Sequence, residues 1–278
     1  MFYFLILQQY ANVNNLLCMR LIIKKDYDML SDWAAEYVIN RILSFHPTPS
    51  RPFVLGLPTG STPLGLYVRM VSAYKEGRVS FRDVVTFNMD EYVGLPEAHP
   101  ASYHSFMERN LFSQVDLQPD HIHLLNGNAP DLEAECRDYE RLIAEYGGVD
   151  LFIGGMGVDG HIAFNEPGTS LGSRTHVQLL ATSTLQANSR FFSYDAFQVP
   201  RKALTVGVAT VMDAREVLVL ASGHAKAHAL WAAVEGPVSQ QSSVSALQMH
   251  PQAVVVCDEA ATDELRVGTY KYFKNVER

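Results

Sequence analysis

Short apolar runs alternate along the chain with longer stretches in which apolar residues recur at helical spacing. The runs are apolar on both faces, which is typical of buried parallel strands. The periodic stretches predict amphipathic helices between them. The apolar runs lie at residues 20–23, 53–57, 84–89, 122–125, 149–153, 203–208, 216–221 and 253–257. The helical stretches lie at 30–43, 64–74, 102–112, 131–146 and 262–273, with an alanine-rich one that follows residues 222–226 and ends at 235. This alternation predicts one α/β domain with a mostly parallel sheet.

The first residues do not follow the pattern. Residues 2–7 are apolar, but an amide-rich stretch follows, without a basic start or a small-residue cleavage site. A signal peptide is therefore not expected, and the run is too short to span a membrane. We expect residues 1–18 to be an N-terminal extension outside the fold and residues 19–278 to form the domain.

The amino-acid composition limits the kinds of ligand that the protein is expected to bind. The chain has 278 residues, 47% hydrophobic and 19% charged, with a formal net charge of -8. This acidic balance, without a Lys/Arg cluster, argues against nucleic-acid binding and favours a small-molecule partner. Cys18, Cys136 and Cys257 are odd in number and lack C-x-x-C spacing, which suits a reducing cytosol and offers no zinc site.

The stretch at residues 154–167 carries most of the candidate chemistry. Asp159, His161 and Glu166 lie on a glycine-rich loop directly after a predicted strand, at the sheet edge where open α/β folds bind ligands. One alternative is a dinucleotide fingerprint, because residues 155–160 match G-x-G-x-x-G. However, Pro167 and the lack of helical period argue against a following helix, and no acid lies about 20 residues further on. A second alternative is that Asp159 and His161 are only turn residues.

Three other positions are candidates for binding or catalysis. Residues 58–63 form a hydroxyl-rich turn between a strand and a helix, where backbone N–H groups would favour an anion; the alternative is a plain Ser/Thr N-cap. Asp90 follows the strand at 84–89, and its alternative role is to cap the next segment. Lys226 lies near a helix start, where a cation suggests an anionic partner, although a solvated lysine is the commoner case.

Three separate segments resemble the glucosamine-6-phosphate deaminase (isomerase) family. They are residues 57–63, 86–95 and 157–167, with further likeness at 188–192 and 203–208. The resemblance runs from Met19 to near the C-terminus. It implies a single-domain, modified doubly wound (Rossmann-like) α/β fold, with helices on both faces of a mostly parallel sheet. It also implies a cytoplasmic homohexamer of amino-sugar and N-acetylglucosamine catabolism, classed as a hydrolase, without cofactor, metal, nucleic acid or membrane.

The resemblance also assigns an activity and its residues. The reaction would convert glucosamine 6-phosphate and water to fructose 6-phosphate and ammonium. Asp90 matches the base that moves a proton between C2 and C1, and His161 matches the group that opens the sugar ring. Asp159 and Glu166 match the carboxylates that hold the imidazole. The phosphate pocket is matched by Thr59, Gly60, Ser61, Thr62, Arg190 and Lys226.

The sequence departs from the family pattern in two places. Residues 239–243 replace a run like Asn-His-Met-Trp, which puts local packing in doubt. His176 and Gln178 replace two basic residues of allosterically regulated members, so we expect activation by N-acetylglucosamine 6-phosphate to be absent or weak. Two rival functions are a 6-phosphogluconolactonase-like hydrolase and a catalytically silent sugar-phosphate sensor.

Overall fold

The computed structural model describes residues 19–277. The expected extension at residues 1–18 lies outside the described residues, so its place relative to the domain stays a prediction. None of the helices in the described range is both long and apolar enough to cross a membrane.

The described strands form two sheets. In chain order they are β1 (Arg20–Lys24), β2 (Phe53–Leu57), β3 (Val84–Asn88), β4 (Asp90–Tyr92), β5 (Ile122–His123), β6 (Leu151–Gly155), β7 (His176–Leu179), β8 (Lys202–Thr205), β9 (Glu216–Ala221) and β10 (Ala253–Asp258). Seven of them make a central parallel sheet in the order β1-β10-β9-β6-β2-β3-β5. The predicted doubly wound, mostly parallel architecture is confirmed.

Helices cover both faces of the central sheet. They are α1 (Tyr27–Phe45), α2 (Leu64–Lys75), α3 (Tyr103–Asn110), α4 (Leu132–Glu145), α5 (Thr182–Asn188), α6 (Val208–Met212), α7 (Ala227–Val234) and α8 (Val267–Val276). Because side chains alternate along a strand, Leu55 of β2 joins the core under α1 and α2, whereas Val54 joins the core under α4 and α7. This two-sided burial explains why the predicted strands read as nearly continuous apolar runs.

The second sheet was not predicted. It is antiparallel, in the order β4-β8-β7, and a separate apolar cluster that includes Tyr92, Phe164 and Phe192 packs against it. The run at residues 203–208 was expected to be one strand, but the strand ends at Thr205 and α6 begins at Val208. Gly207 marks the change, because a Cβ there would lie 2.1 Å from the carbonyl oxygen of Ser173.

The last helix begins later than predicted. Helical spacing suggested residues 262–273, whereas α8 runs from Val267 to Val276. The difference arises because the Asp258 side chain accepts a hydrogen bond from the Ala261 N–H and so caps a short 3₁₀ turn (Glu259–Thr262) first.

Candidate active site

The glycine-rich loop leaves β6 at the carboxyl edge of the central sheet, as predicted. Since β2, β3 and β9 run parallel to β6, the loops that follow them end at the same edge. Met89, which follows β3, joins the end of β2 to the residue after β8, because its N–H donates to the Leu57 carbonyl and its own carbonyl accepts from the Val206 N–H. No helix begins between residues 161 and 175, so the dinucleotide alternative lacks the helix N-terminus it requires.

His161 lies between two carboxylates. Its Nδ1 is 2.8 Å from Oδ1 of Asp159 and 3.7 Å from Oε2 of Glu166. The shorter contact is not aligned as a hydrogen bond, so it acts as an ion-pair contact when the ring is protonated. Glu166 is fixed through its other oxygen, which accepts a hydrogen bond from the Ala181 N–H at 2.9 Å. The three predicted proton-handling groups are therefore brought together in one cluster.

The environment of Asp159 favours its charged form. Partial burial by itself would raise the pKa, but contact with His161 and the backbone N–H groups of residues 159 and 161 outweigh it. The pKa of Asp159 is consequently lowered. One of these donors, the His161 N–H, lies 3.2 Å from Oδ1.

Two glycines allow this loop to pack. A Cβ on Gly157 would lie 2.5 Å from the His161 ring, so the imidazole occupies the space that a side chain would need. Gly160 has a positive φ of 83°, and a Cβ there would lie 2.0 Å from Oγ of Ser242. Ser243 adds support, since its hydroxyl accepts from the Ile162 N–H and donates to the Asn165 carbonyl. The segment that departs from the family pattern thus packs directly against the loop.

Asp90 has a different environment. It is 8% exposed, begins β4 and pairs with Thr205 of β8. Its carboxylate has no hydrogen bond to another described residue. Burial, and after it the charge of Glu91, raise the pKa of Asp90 from 3.8 to about 8. A carboxylate with that pKa can both take and return a proton near neutral pH.

Four tyrosines, three of them buried and Tyr103 partly buried, lie within range of the Asp90 charge. Burial raises the pKa of each hydroxyl, and the charge of Asp90 raises it further; the four are Tyr67, Tyr92, Tyr103 and Tyr139. Two of them form a hydrogen-bonded chain in which Tyr103 contacts Thr59 and Tyr92. The Asn188 amide donates to the Tyr92 hydroxyl at 2.9 Å. The chain therefore connects the loop before α2 with the end of α5, two residues before Arg190.

The loop before α2 is not a simple helix cap. The residue at the N-cap position is Pro63, which makes no side-chain capping bond. The N-cap alternative is therefore wrong for this turn, and its hydroxyl groups do not satisfy the first turn of the helix. Gly60 has a φ of 98°, a left-handed conformation that favours glycine. Tyr27 braces the turn by donating to the Thr62 carbonyl and accepting from the Gly65 N–H.

The two predicted phosphate-binding cations lie near the His161 loop. Lys226 donates to the Met156 carbonyl at 2.7 Å. Burial lowers the pKa of Lys226, the charge of Arg190 lowers it further, and Asp159 opposes this shift. Lys226 is therefore partly desolvated beside another cation, an environment that an anionic ligand would relieve.

The His161 cluster could also hold a metal ion. Ligand atoms of Asp159, His161 and Glu166 lie within 4.8 Å of one another. Imidazole with carboxylates is a donor set that several divalent metals accept. The expectation of chemistry without a metal stays a prediction.

Sequence reasoning did not find several residues of this site. Glu91 and Asn188 lie in segments that resemble the family, but the sequence assigned no role to them or to Tyr103, because their contacts join distant elements. Gly157 lies in the glycine-rich loop that the sequence singled out, but its close contact with the His161 ring depends on the folded loop. His176 and Gln178 lie on β7, with Nε2 of the histidine 3.0 Å from Oε1 of the glutamine, and their effect on activation stays a prediction.

Comparison with known sequences places the chain among sugar-phosphate enzymes. The family described as glucosamine-6-phosphate isomerases/6-phosphogluconolactonase matches residues 25–261. A glucosamine-6-phosphate deaminase of Porphyromonas gingivalis is 65% identical over 94% of this chain and 99% of its own length. One of Phocaeicola vulgatus is 61% identical over the same shares.

Solved structures agree on the fold. A monomeric glucosamine-6-phosphate deaminase superimposes with a TM-score of 0.84 and 41% identity, covering 89% of this chain and 100% of the other. A 6-phosphogluconolactonase from Trypanosoma cruzi has a TM-score of 0.71 at 18% identity, with 90% and 98% covered, and shows the fold alone. The expected classification as a hydrolase is wrong on these findings, because the similar enzymes are named for removal of an amino group.

Proposed function

The chain belongs to the family of glucosamine-6-phosphate isomerases and 6-phosphogluconolactonases, and on that premise we propose that it is a glucosamine-6-phosphate deaminase. It converts glucosamine 6-phosphate and water to fructose 6-phosphate and ammonium. The observation that carries the proposal is the 65% identity to a deaminase over almost the whole of both chains. The solved lactonase structure, at 18% identity, shows the fold alone.

Substrate binding begins with the phosphate in this proposal. The turn at residues 59–62 supplies backbone N–H groups at the N-terminus of α2, where an anion is favoured. Arg190 and Lys226 supply the positive charge. Support comes from the partial burial of Lys226 beside Arg190, which lowers the lysine pKa until an anion compensates the two cations.

Ring opening is assigned to His161. A protonated imidazole donates to the ring oxygen as the bond between that oxygen and C1 breaks, and water takes the proton of the C1 hydroxyl, which gives the open-chain aldehyde. Asp159 and Glu166 flank the ring nitrogen Nδ1 and stabilise the imidazolium. Gly157 allows the ring to lie against the backbone and so fixes its position.

Isomerisation is assigned to Asp90. Its carboxylate removes the C2 proton to give an enol that carries the amino group, and a proton is then returned to C1. The product is an imine at C2, to which water adds before the carbon–nitrogen bond breaks and ammonia leaves as ammonium. The pKa of about 8 supports this assignment, because the same group must accept and release a proton.

The cellular setting is also part of the proposal. A cytoplasmic location is consistent with Cys136 and Cys257, which are buried free thiols. The resemblance implies a homohexamer, and the monomeric relative provides the alternative. Light scattering distinguishes the two, and a truncated chain that starts at Met19 should keep its assembly and activity if residues 1–18 are dispensable.

Ammonium release from glucosamine 6-phosphate tests the proposed function. We expect stoichiometric ammonium and fructose 6-phosphate from the purified full chain. Hydrolysis of 6-phosphogluconolactone without ammonium release would instead identify a lactonase. Binding of both sugar phosphates without turnover would identify a sensor, and either result would refute the deaminase.

A further inference from the structure

Glu91 is a buried carboxylate that the proposed mechanism does not use. It follows Asp90 on β4 and is 2% exposed. Successive side chains of a strand point to opposite faces, so Glu91 is directed away from Asp90. Its oxygens accept hydrogen bonds from the backbone N–H groups of Tyr92, Tyr103 and His104, at 2.8 to 3.1 Å. Nδ1 of His104 lies 2.7 Å away.

Two of these donors lie in the first turn of α3. The helix already has an N-cap, because Ser102 accepts a hydrogen bond from the Ser105 N–H. Glu91 binds the N–H groups that this cap leaves free, and a carboxylate is favoured at a helix N-terminus. The contact fixes α3 to β4, although the two elements are separated in sequence by the loop that contains Gly94 and Pro96.

The hydrogen bonds from Tyr103 and His104 to Glu91, called the Glu91 clamp below, determine where the Tyr103 side chain lies. Tyr103 is the first residue of α3, and its hydroxyl contacts Thr59 and Tyr92. Its backbone N–H is held by Glu91. The position of Thr59 relative to Asp90 therefore depends on a hydrogen-bonded path that begins at Glu91.

We propose that Glu91 is a positioning residue for the isomerisation: it holds Tyr103 against Thr59 and keeps a second negative charge beside Asp90. The inference rests on the proposed function, since it assumes that Asp90 is the base. Glu91 acts through its neighbours and does not touch the substrate.

The titratable neighbours of Asp90 and of Glu91 determine how activity should depend on pH. The charge of Asp90 interacts with that of Glu91, which follows it on the other face of β4, and with the hydroxyls of Tyr92 on the same strand, Tyr67 from α2, Tyr103 from α3 and Tyr139 from α4. Glu91 is faced by His104, whose Nε2 is 3.9 Å from Glu97. Burial is the larger cause of the raised pKa of Asp90, and the charge of Glu91 is the second cause. Loss of that charge should lower the pKa, so that the base stays ionised at lower pH.

The test compares the pH profiles of kcat/KM for the wild type and two Glu→Gln variants. Glu91→Gln should move the acid limb to lower pH by about one unit. It should also raise KM several-fold, because glutamine presents one acceptor oxygen to four donors. Glu97→Gln is the matched control, since Glu97 faces the same histidine but is exposed, and its acid limb should not move.

Two further variants separate the Glu91 clamp from the charge. Tyr103→Phe removes the hydroxyl and should raise KM without moving the acid limb. If Glu91→Gln does not fold, Glu91→Asp keeps the charge with a shorter reach, and it should raise KM while leaving the limb in place. An unmoved limb in a folded Glu91→Gln, or an unchanged KM in Glu91→Asp, would overturn the proposal. Absence of ammonium release by the wild type would refute the proposed function instead.

Discussion

The candidate site contains two aspartates whose surroundings are opposite. Asp90 emerges from a buried strand among tyrosines, has no hydrogen bond to another described residue, and has its pKa raised to about 8. Asp159 lies on a partly exposed loop beside His161, and its pKa is lowered. Carboxylates whose environments separate their pKa values usually have different roles in catalysis. The difference supports the proposed roles, in which Asp90 exchanges a proton and Asp159 remains ionised to stabilise an imidazolium.

Loss of the Asp90 carboxylate should have the largest effect. Asp90→Asn keeps the shape but cannot accept the C2 proton, so we expect kcat to fall by about 10²- to 10⁴-fold, the usual contribution of a general base. Fixed-time assays of ammonium release at saturating substrate measure kcat. Asp120→Asn, at an exposed position in the 3₁₀ turn Pro119–His121, is the control and should be fully active. Near-normal turnover of Asp90→Asn would assign the base elsewhere.

The cations near Asp159 should control affinity and not the proton transfer. Arg190→Ala and Lys226→Ala each remove a charge-assisted contact with the phosphate, which should weaken binding of a phosphorylated substrate analogue by roughly 10- to 150-fold. Isothermal titration calorimetry gives the affinities. Lys271→Ala, on the exposed surface of α8, should bind normally. Unchanged affinity in both variants would argue against this phosphate pocket.

Stability should report the burial of Asp90 independently of activity. An acid whose pKa is raised on folding binds more protons folded than unfolded between the two pKa values, here from 3.8 to about 8. Its contribution to stability is therefore lost as pH rises through that window. Between about pH 5.5 and 7.5, Asp90→Asn should gain about 1–3 kcal/mol of unfolding free energy relative to the wild type. Urea unfolding measures this free energy at both pH values. The same difference between the variant and the wild type at both would show that Asp90 titrates normally.

The geometry of the His161 loop should have a smaller effect. Gly157→Ala places a Cβ where the imidazole lies, so the ring must move, and kcat should fall about 10-fold because ring opening loses its aligned acid. Gly268→Ala, where a Cβ meets nothing within 4 Å, is the matched control. Normal kcat in Gly157→Ala would mean that the ring position is not critical.

The features that depend on local sequence pattern could be predicted. The predicted strand ends place Asp90 and the loop of Asp159 at one edge of the sheet because parallel strands share their direction, and the motifs supplied the candidate residues. The antiparallel sheet of β4, β7 and β8 was not predicted, since its strands are short and pair across long separations. The surroundings of Asp90 were missed for the same reason: Tyr103 meets Glu91, and Asn188 meets Tyr92, only through tertiary contacts.

The protonation states of the two aspartates test this account most directly. Carboxyl ¹³C shifts of aspartate-labelled protein, followed from acid to alkaline pH, would show when each group titrates, with Asp90→Asn and Asp159→Asn variants providing the assignments. The account predicts that the signal missing from Asp90→Asn titrates at about pH 8, and that the signal missing from Asp159→Asn titrates below 3.8. Titration of both signals together near 3.8 would contradict the assignment of different roles.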